Sequence, residues 1–150
     1  MMRHLIKKHR SQCMLYAFAM ALNCDPDNII KILGHDGTEI LWPKFPSPKC
    51  FRGFHINEMV YVCFQCGFSI YEYPKYLELG HDESSARRIK VPYNIDELVQ
   101  YNNGVLLNDV HAYAWDFHTQ TVLDPDGPKS QLNQINWYIF YLIEPRYGRV

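Results

Sequence analysis

One stretch limits what this chain can fold into: Ser11-Gln12-Cys13-Met14-Leu15-Tyr16-Ala17-Phe18-Ala19-Met20-Ala21-Leu22. It reads as a nearly all-apolar helix, and a helix apolar on every side belongs in a core. Ser11 is the expected N-cap, which places Cys13 in the first turn. A thiol there meets unpaired backbone N–H groups and the positive end of the helix dipole, which favour an anion. Such surroundings make thiolate available near neutral pH. Cys13 therefore has two readings at this point, a structural core thiol or a nucleophile.

The 150 residues suggest one domain, 1–150, large enough to bury a core without disulfides. A net charge of −1 gives no footprint for nucleic acid, and the short run Lys7-Lys8-His9-Arg10 reads as a solvated entry to the first helix. Five cysteines cannot all pair internally, so free thiols in a reducing cytoplasm are expected. Met1-Met2-Arg3-His4 leads into only two apolar residues, so no signal peptide is expected, nor is a membrane span. The lead carries a small apolar anchor at Leu5-Ile6.

Asp25-Pro26 caps and starts a second helix with Ile29, Ile30 and Leu33 as its buried stripe, and Gly34 ends it. Residues 35–53 hold three prolines and Trp42, which predicts a packed loop and no regular helix. A third helix is expected over 55–67 and a strand over 68–73, whereas 74–92 carries weak signals. Asn94-Ile95-Asp96-Glu97 has the spacing of a capping box before a short helix. Strands follow at 105–107, 111–117 and 121–123, and a last one at 137–143 is apolar enough for a central place in a sheet. Helices first and an antiparallel sheet of about four or five strands afterwards is an α+β arrangement.

Cysteine nucleophiles need an imidazole to hold the thiolate and a group to orient that imidazole. If 111–117 and 121–124 pair about the turn at 118–120, His111 and Asp124 fall at the same end of a hairpin, although register decides which faces they share. Asp116 is the nearest substitute carboxylate, but it lies at the turn-proximal end. Asp124 also has the simpler reading of a turn former in Asp-Pro-Asp-Gly. Cys63-Phe-Gln-Cys66 is a lone CxxC at helical spacing, for which no metal is expected. His35-Asp36-Gly37 and His55 read either as turn and cap chemistry or as one wall of a cleft.

Gln12-Cys13 on an Ala-rich helix, His111-Ala-Tyr-Ala-Trp-Asp116 and Leu123-Asp124-Pro125-Asp126-Gly127 together resemble the papain-like cysteine peptidases of the C39-like, bacteriocin-processing group. Small phage-encoded members are the most similar, with further likeness at 35–43 and 52–58. The resemblance implies a helical half bearing Cys13, a sheet half bearing His111 and Asp124, and a cleft between them. It also implies a thioester mechanism without cofactor on a peptide or protein substrate, with His35, Trp42 and His55 along the cleft and an oxyanion hole served either by Gln12 in a modified geometry or by the Cys13 backbone N–H with another group. Two departures stand out: Met14 follows the nucleophile where the family has glycine, and Gln12 is adjacent to it where the family's glutamine lies several residues upstream. They keep open a weak or inactive member that binds a host protein. Glutamine deamidation or acyl transfer would use the same three residues.

Overall fold

The computed structural model describes residues 1–39, 53–79 and 87–146. A 3-10 turn, Arg10–Gln12, runs directly into α1, Cys13–Leu22, every residue of which is buried. Two further helices follow, α2 over Pro26–Leu33 and α3 over Ile56–Gln65. Asp25 caps α2 as predicted, with its side chain accepting from the Asp27 N–H. Ser11 does not cap α1. Its hydroxyl donates to the Gly37 carbonyl, while the His9 ring accepts from the Ser11 N–H and so starts the chain's first turn. Cys13 thus lies one turn inside a continuous helical run. The bare N-terminal N–H groups expected around its sulfur are partly replaced by this lead-in turn.

The sheet elements are β1 (Phe68–Pro74), β4 (Gly104–Leu107), β5 (Ala112–Asp116), β6 (Thr121–Leu123), β7 (Lys129–Ser130) and β8 (Ile139–Pro145). They form a six-stranded sheet in the order β1-β8-β4-β5-β6-β7, every pairing antiparallel. β8, the most continuously apolar strand, lies between β1 and β4 as its composition requires. Segment 74–92 holds a separate antiparallel hairpin of β2 (Tyr76–Leu79) and β3 (Arg87–Lys90), which its weak pattern did not predict. The two-residue β7 also went unpredicted. A short helix, α4 over Ile95–Gln100, is capped by the Asn94 side chain on the Glu97 N–H.

Both faces of the sheet are covered, and strand alternation sorts the core into two layers. Val105, Leu107, Ala112, Ala114, Leu123, Tyr141 and Ile143 face the α1–α3 side, where Phe18, Ile29, Phe54, Met59 and Val62 complete the packing. Leu106, Trp115, Val122, Phe140 and Leu142 face the other side with Val99 of α4 and Trp137. Trp115 closes that second layer by donating its indole N–H to the Val99 carbonyl at 2.6 Å.

The two alanines of His-Ala-Tyr-Ala-Trp decide where α1 lies. Ala112 and Ala114 present only methyl groups to the helix side, so α1 comes down directly on β5. The first turn of α1 is thereby brought to the beginning of β5, which is where His111 stands. Among the described residues no helix is long and apolar enough to cross a membrane.

Candidate active site

His111, Asp124 and Cys13 all stand at the ends of elements: before β5, after β6 and at the start of α1. The β5–β6 ladder pairs Ala114 with Leu123 and Asp116 with Thr121, so its open end carries the segments holding His111 and Asp124. The His111 backbone is fixed by Asn108, whose side-chain oxygen accepts from the Val110 and His111 N–H groups at 2.8 and 2.7 Å. Asp124 is fixed by its turn, with its N–H on the Pro128 carbonyl and its own carbonyl accepting from the Gly127 N–H.

These anchors bring the His111 Nε2 to 2.5 Å from Asp124 Oδ1. The Cys13 side chain hydrogen-bonds the same imidazole. Because Asp124 takes Nε2, Nδ1 is the nitrogen left to face sulfur. The Tyr113 ring stands edge-on to the imidazole at 4.6 Å between centroids. The side chains of His111 and Asp124 are 12% and 16% exposed, and Cys13 is wholly buried.

Burial pulls the imidazole towards its neutral form, but the hydrogen bonds it donates to Asp124 and Cys13, with the charges on both, outweigh it and raise His111 to about 9. Burial likewise pushes Asp124 up. There too the opposing contacts win: the His111 and Asp126 hydrogen bonds and the charges of His111 and Lys7 hold the carboxyl below its usual range. A protonated imidazole beside sulfur favours thiolate over thiol. Elsewhere the pattern is opposite. Burial raises the thiols of Cys24 to about 11 and Cys63 to about 12; Cys66 adds to both, with Asp25 acting further on Cys24 and Cys24 on Cys63. No disulfide joins Cys13, Cys24, Cys63 or Cys66.

The described ends of the loop predicted to form a wall, 35–39 and 53–54, pack together, and residues 36 and 37 dock on the same end of α1. The Asp36 carbonyl accepts from Gln12 Nε2 at 3.0 Å and the Gly37 carbonyl from the Ser11 hydroxyl at 3.2 Å. Gln12 is buried, and its Oε1 has no hydrogen-bond partner. Turning the amide over would set oxygen against the Asp36 carbonyl, so the orientation is fixed by that contact. Close approach holds the loop: Gly37 has φ +81° with the Phe54 ring against it, and Gly53 has φ +95° with the Gly37 carbonyl against it. His35 stacks on Phe54 and pairs with Glu58 at 2.6 Å, so it serves as a brace between the loop and α3. His55 is the N-cap of α3, its Nδ1 accepting from the Asn57 N–H. Trp42 lies outside the described residues, as do Cys50 and His81.

Two residues at this site were not predicted from sequence. Asp126 Oδ2 lies 3.7 Å from His111 Nε2, and Lys7 pairs with Asp126 Oδ1 at 2.7 Å. Lys7 is therefore no part of a solvated run: its side chain is only 14% exposed. Among the described residues His111, Asp124 and Asp126 are also the one cluster whose donor atoms converge closely enough to consider a cation. Their internal pairing, together with Lys7, already satisfies their charges. Asp116 faces elsewhere, accepting from the Met2 and His118 N–H groups. No family model, no curated protein and no solved structure matches this chain.

Proposed function

We propose that the chain is a papain-like cysteine hydrolase of C39-like type that cleaves a peptide or other amide bond, with Cys13 as nucleophile. The observation that carries this reading is the relay from the Cys13 sulfur to His111 and from His111 Nε2 to Asp124 Oδ1. In the reaction the Cys13 thiolate adds to the carbonyl carbon, and the His111 imidazolium gives its proton to the leaving amine as the C–N bond breaks. Water, deprotonated by the now neutral imidazole, then attacks the thioester and releases the acid and the thiolate. Asp124 accepts from Nε2 throughout, which keeps the ring oriented and stabilises its charged form. Neither step calls for a metal or cofactor.

Alkylation tests the nucleophile without a known substrate. At pH 6 iodoacetamide is expected to modify Cys13 roughly tenfold or more faster than Cys24 or Cys63, as read by peptide mass spectrometry. His111→Ala is expected to remove the advantage. Equal rates at all three cysteines would overturn the assignment.

A second reading, a catalytically weak relative that binds a protein partner, is favoured by two observations. Cys13 has no exposed surface, and the Gln12 amide donates to the Asp36 carbonyl where an oxyanion hole would want it open towards the sulfur. A peptide probe with a cysteine-reactive warhead separates the two: it labels Cys13 in a hydrolase and leaves a binding protein unmodified.

A further inference from the structure

The N-terminal lead, which takes no step in the proposed reaction, is fastened to the turn that carries Asp124. Its His4 ring bonds the Asp124 carbonyl at 2.8 Å, and its Lys7 N–H donates to the Pro125 carbonyl at 2.9 Å. The Lys7 ammonium then reaches Asp126 Oδ1 at 2.7 Å and lies 3.4 Å from the Arg10 carbonyl, in the 3-10 turn that leads into Cys13. Asp126 uses both carboxylate oxygens differently: Oδ1 faces Lys7, while Oδ2 lies 3.7 Å from His111 Nε2. Its own N–H donates to Asp124 Oδ1 at 2.8 Å.

We propose that Asp126, clamped by Lys7, is a positioning residue for the His111–Asp124 pair, and that the Lys7–Asp126 balance sets how strongly His111 holds its proton. The inference rests on the cysteine hydrolase reading for its functional meaning, but its geometry is independent of it. A single Nε2–H can be given to one acceptor, and Asp124 at 2.5 Å has it. Asp126 therefore acts on the ring through charge, and through the N–H that fixes the orientation of Asp124. Lys7 withdraws part of that charge and keeps Oδ1 turned away, so Asp126 does not compete with Asp124 for the imidazole. The charged and titratable groups around the ring that enter this balance are Asp124 and Asp126 from the turn, Cys13 from α1 and Tyr113 from β5, with Lys7 and His4 of the lead behind them.

The test is a titration of the His111 ring by NMR in the full chain. Asp126→Asn is expected to lower the His111 midpoint by about half a pH unit, and Lys7→Gln to raise it by a similar amount, as charges near a partly exposed pair do. Lys7→Arg is expected to restore the wild-type midpoint. A merely structural role predicts something else, because loosening the turn from either side weakens the Asp124 contact and lowers the midpoint in both variants. Shifts in the same direction, or no shift in either, overturn the proposal. Cys13 alkylation measured on the same samples separates the two ideas. Opposite His111 shifts with an unreactive Cys13 would remove the hydrolase reading and keep the positioning role. A reactive Cys13 with unmoved midpoints would do the reverse.

Discussion

Replacing His111 by Gln is expected to remove a pH-dependent part of the chain's stability, and the sign follows from the direction of the shift. The imidazole titrates near 6.5 in an unfolded chain and at about 9 in the folded one. Its ionic contacts therefore stabilise fully below pH 6.5, weaken as the pH rises, and vanish above about 9. Asp124, held below its usual range, adds the complementary limit, with its share present near neutrality and lost on strong acidification. The distance from 6.5 to about 9 corresponds to ~3 kcal/mol of preference for the imidazolium. Residual solvent screening and the shared credit with Asp124 and Cys13 reduce this to about 2 kcal/mol. The assay is urea denaturation of wild type and His111→Gln at several values between about pH 5.5 and 9.5. Buried Cys24 and Cys63, raised to about 11 and about 12, also cost stability at the alkaline end, because the unfolded chain ionises its thiols first. That loss is common to both proteins and cancels in the difference. The wild-type advantage is expected to shrink by about 2 kcal/mol over the range. A difference that stays constant across it would falsify the ion-pair account of His111.

Two further substitutions test the framework that holds the site. Gly37→Ala places a Cβ 2.1 Å from the Phe54 ring at φ +81°, so a loss of roughly 2 kcal/mol or more is expected in urea denaturation; a loss below about 0.5 kcal/mol would show that the loop does not pack as described. Trp115→Phe leaves the buried Val99 carbonyl without its indole donor, an expected cost of about 1–3 kcal/mol, with faster amide exchange in α4 than elsewhere. Uniform exchange throughout the chain would argue against a local role for that bond.

What could be read in the sequence was whatever local chemistry dictates. Asp25-Pro26, Gly34, His55, Asn94 and Gly67 mark the helix ends and turns because caps and left-handed glycines act within a few residues of themselves. The hairpin bringing His111 to Asp124 was legible for the same reason, since a short turn, four residues in the structure (Phe117–Gln120), joins two strongly patterned strands. The Ser11 cap failed because His9 and Gly37 compete for that residue's groups, and the Gly37 contact lies 26 positions away. The β2–β3 hairpin lacks apolar alternation because it pairs apart from the main sheet. Lys7 and Asp126 were illegible for a plainer cause. Charged residues in a basic run and a turn look solvated until tertiary structure sets them side by side, 119 residues apart.

The buried position of Cys13 makes the surrounding polar contacts interdependent. A charge pair withdrawn from water gains Coulomb energy from the low dielectric, but it costs several kcal/mol in lost solvation unless each group finds partners. Here the imidazole has sulfur on one side and Asp124 on the other, Asp124 Oδ1 also takes the Asp126 N–H, and Asp126 is balanced by Lys7. Each member satisfies the one before it, and the sequence ends on a residue of the lead, close to the turn that enters α1. Helix α1 and the sheet hairpin are thus joined twice, directly through sulfur and imidazole and again behind them through Lys7. Ala112 and Ala114 make the first junction possible by letting α1 lie directly on β5. A bulkier residue at either position would lift the helix and lengthen the contact between sulfur and imidazole. The alanines between His111 and Trp115 are therefore as much a part of the site's geometry as the three polar residues that fill it.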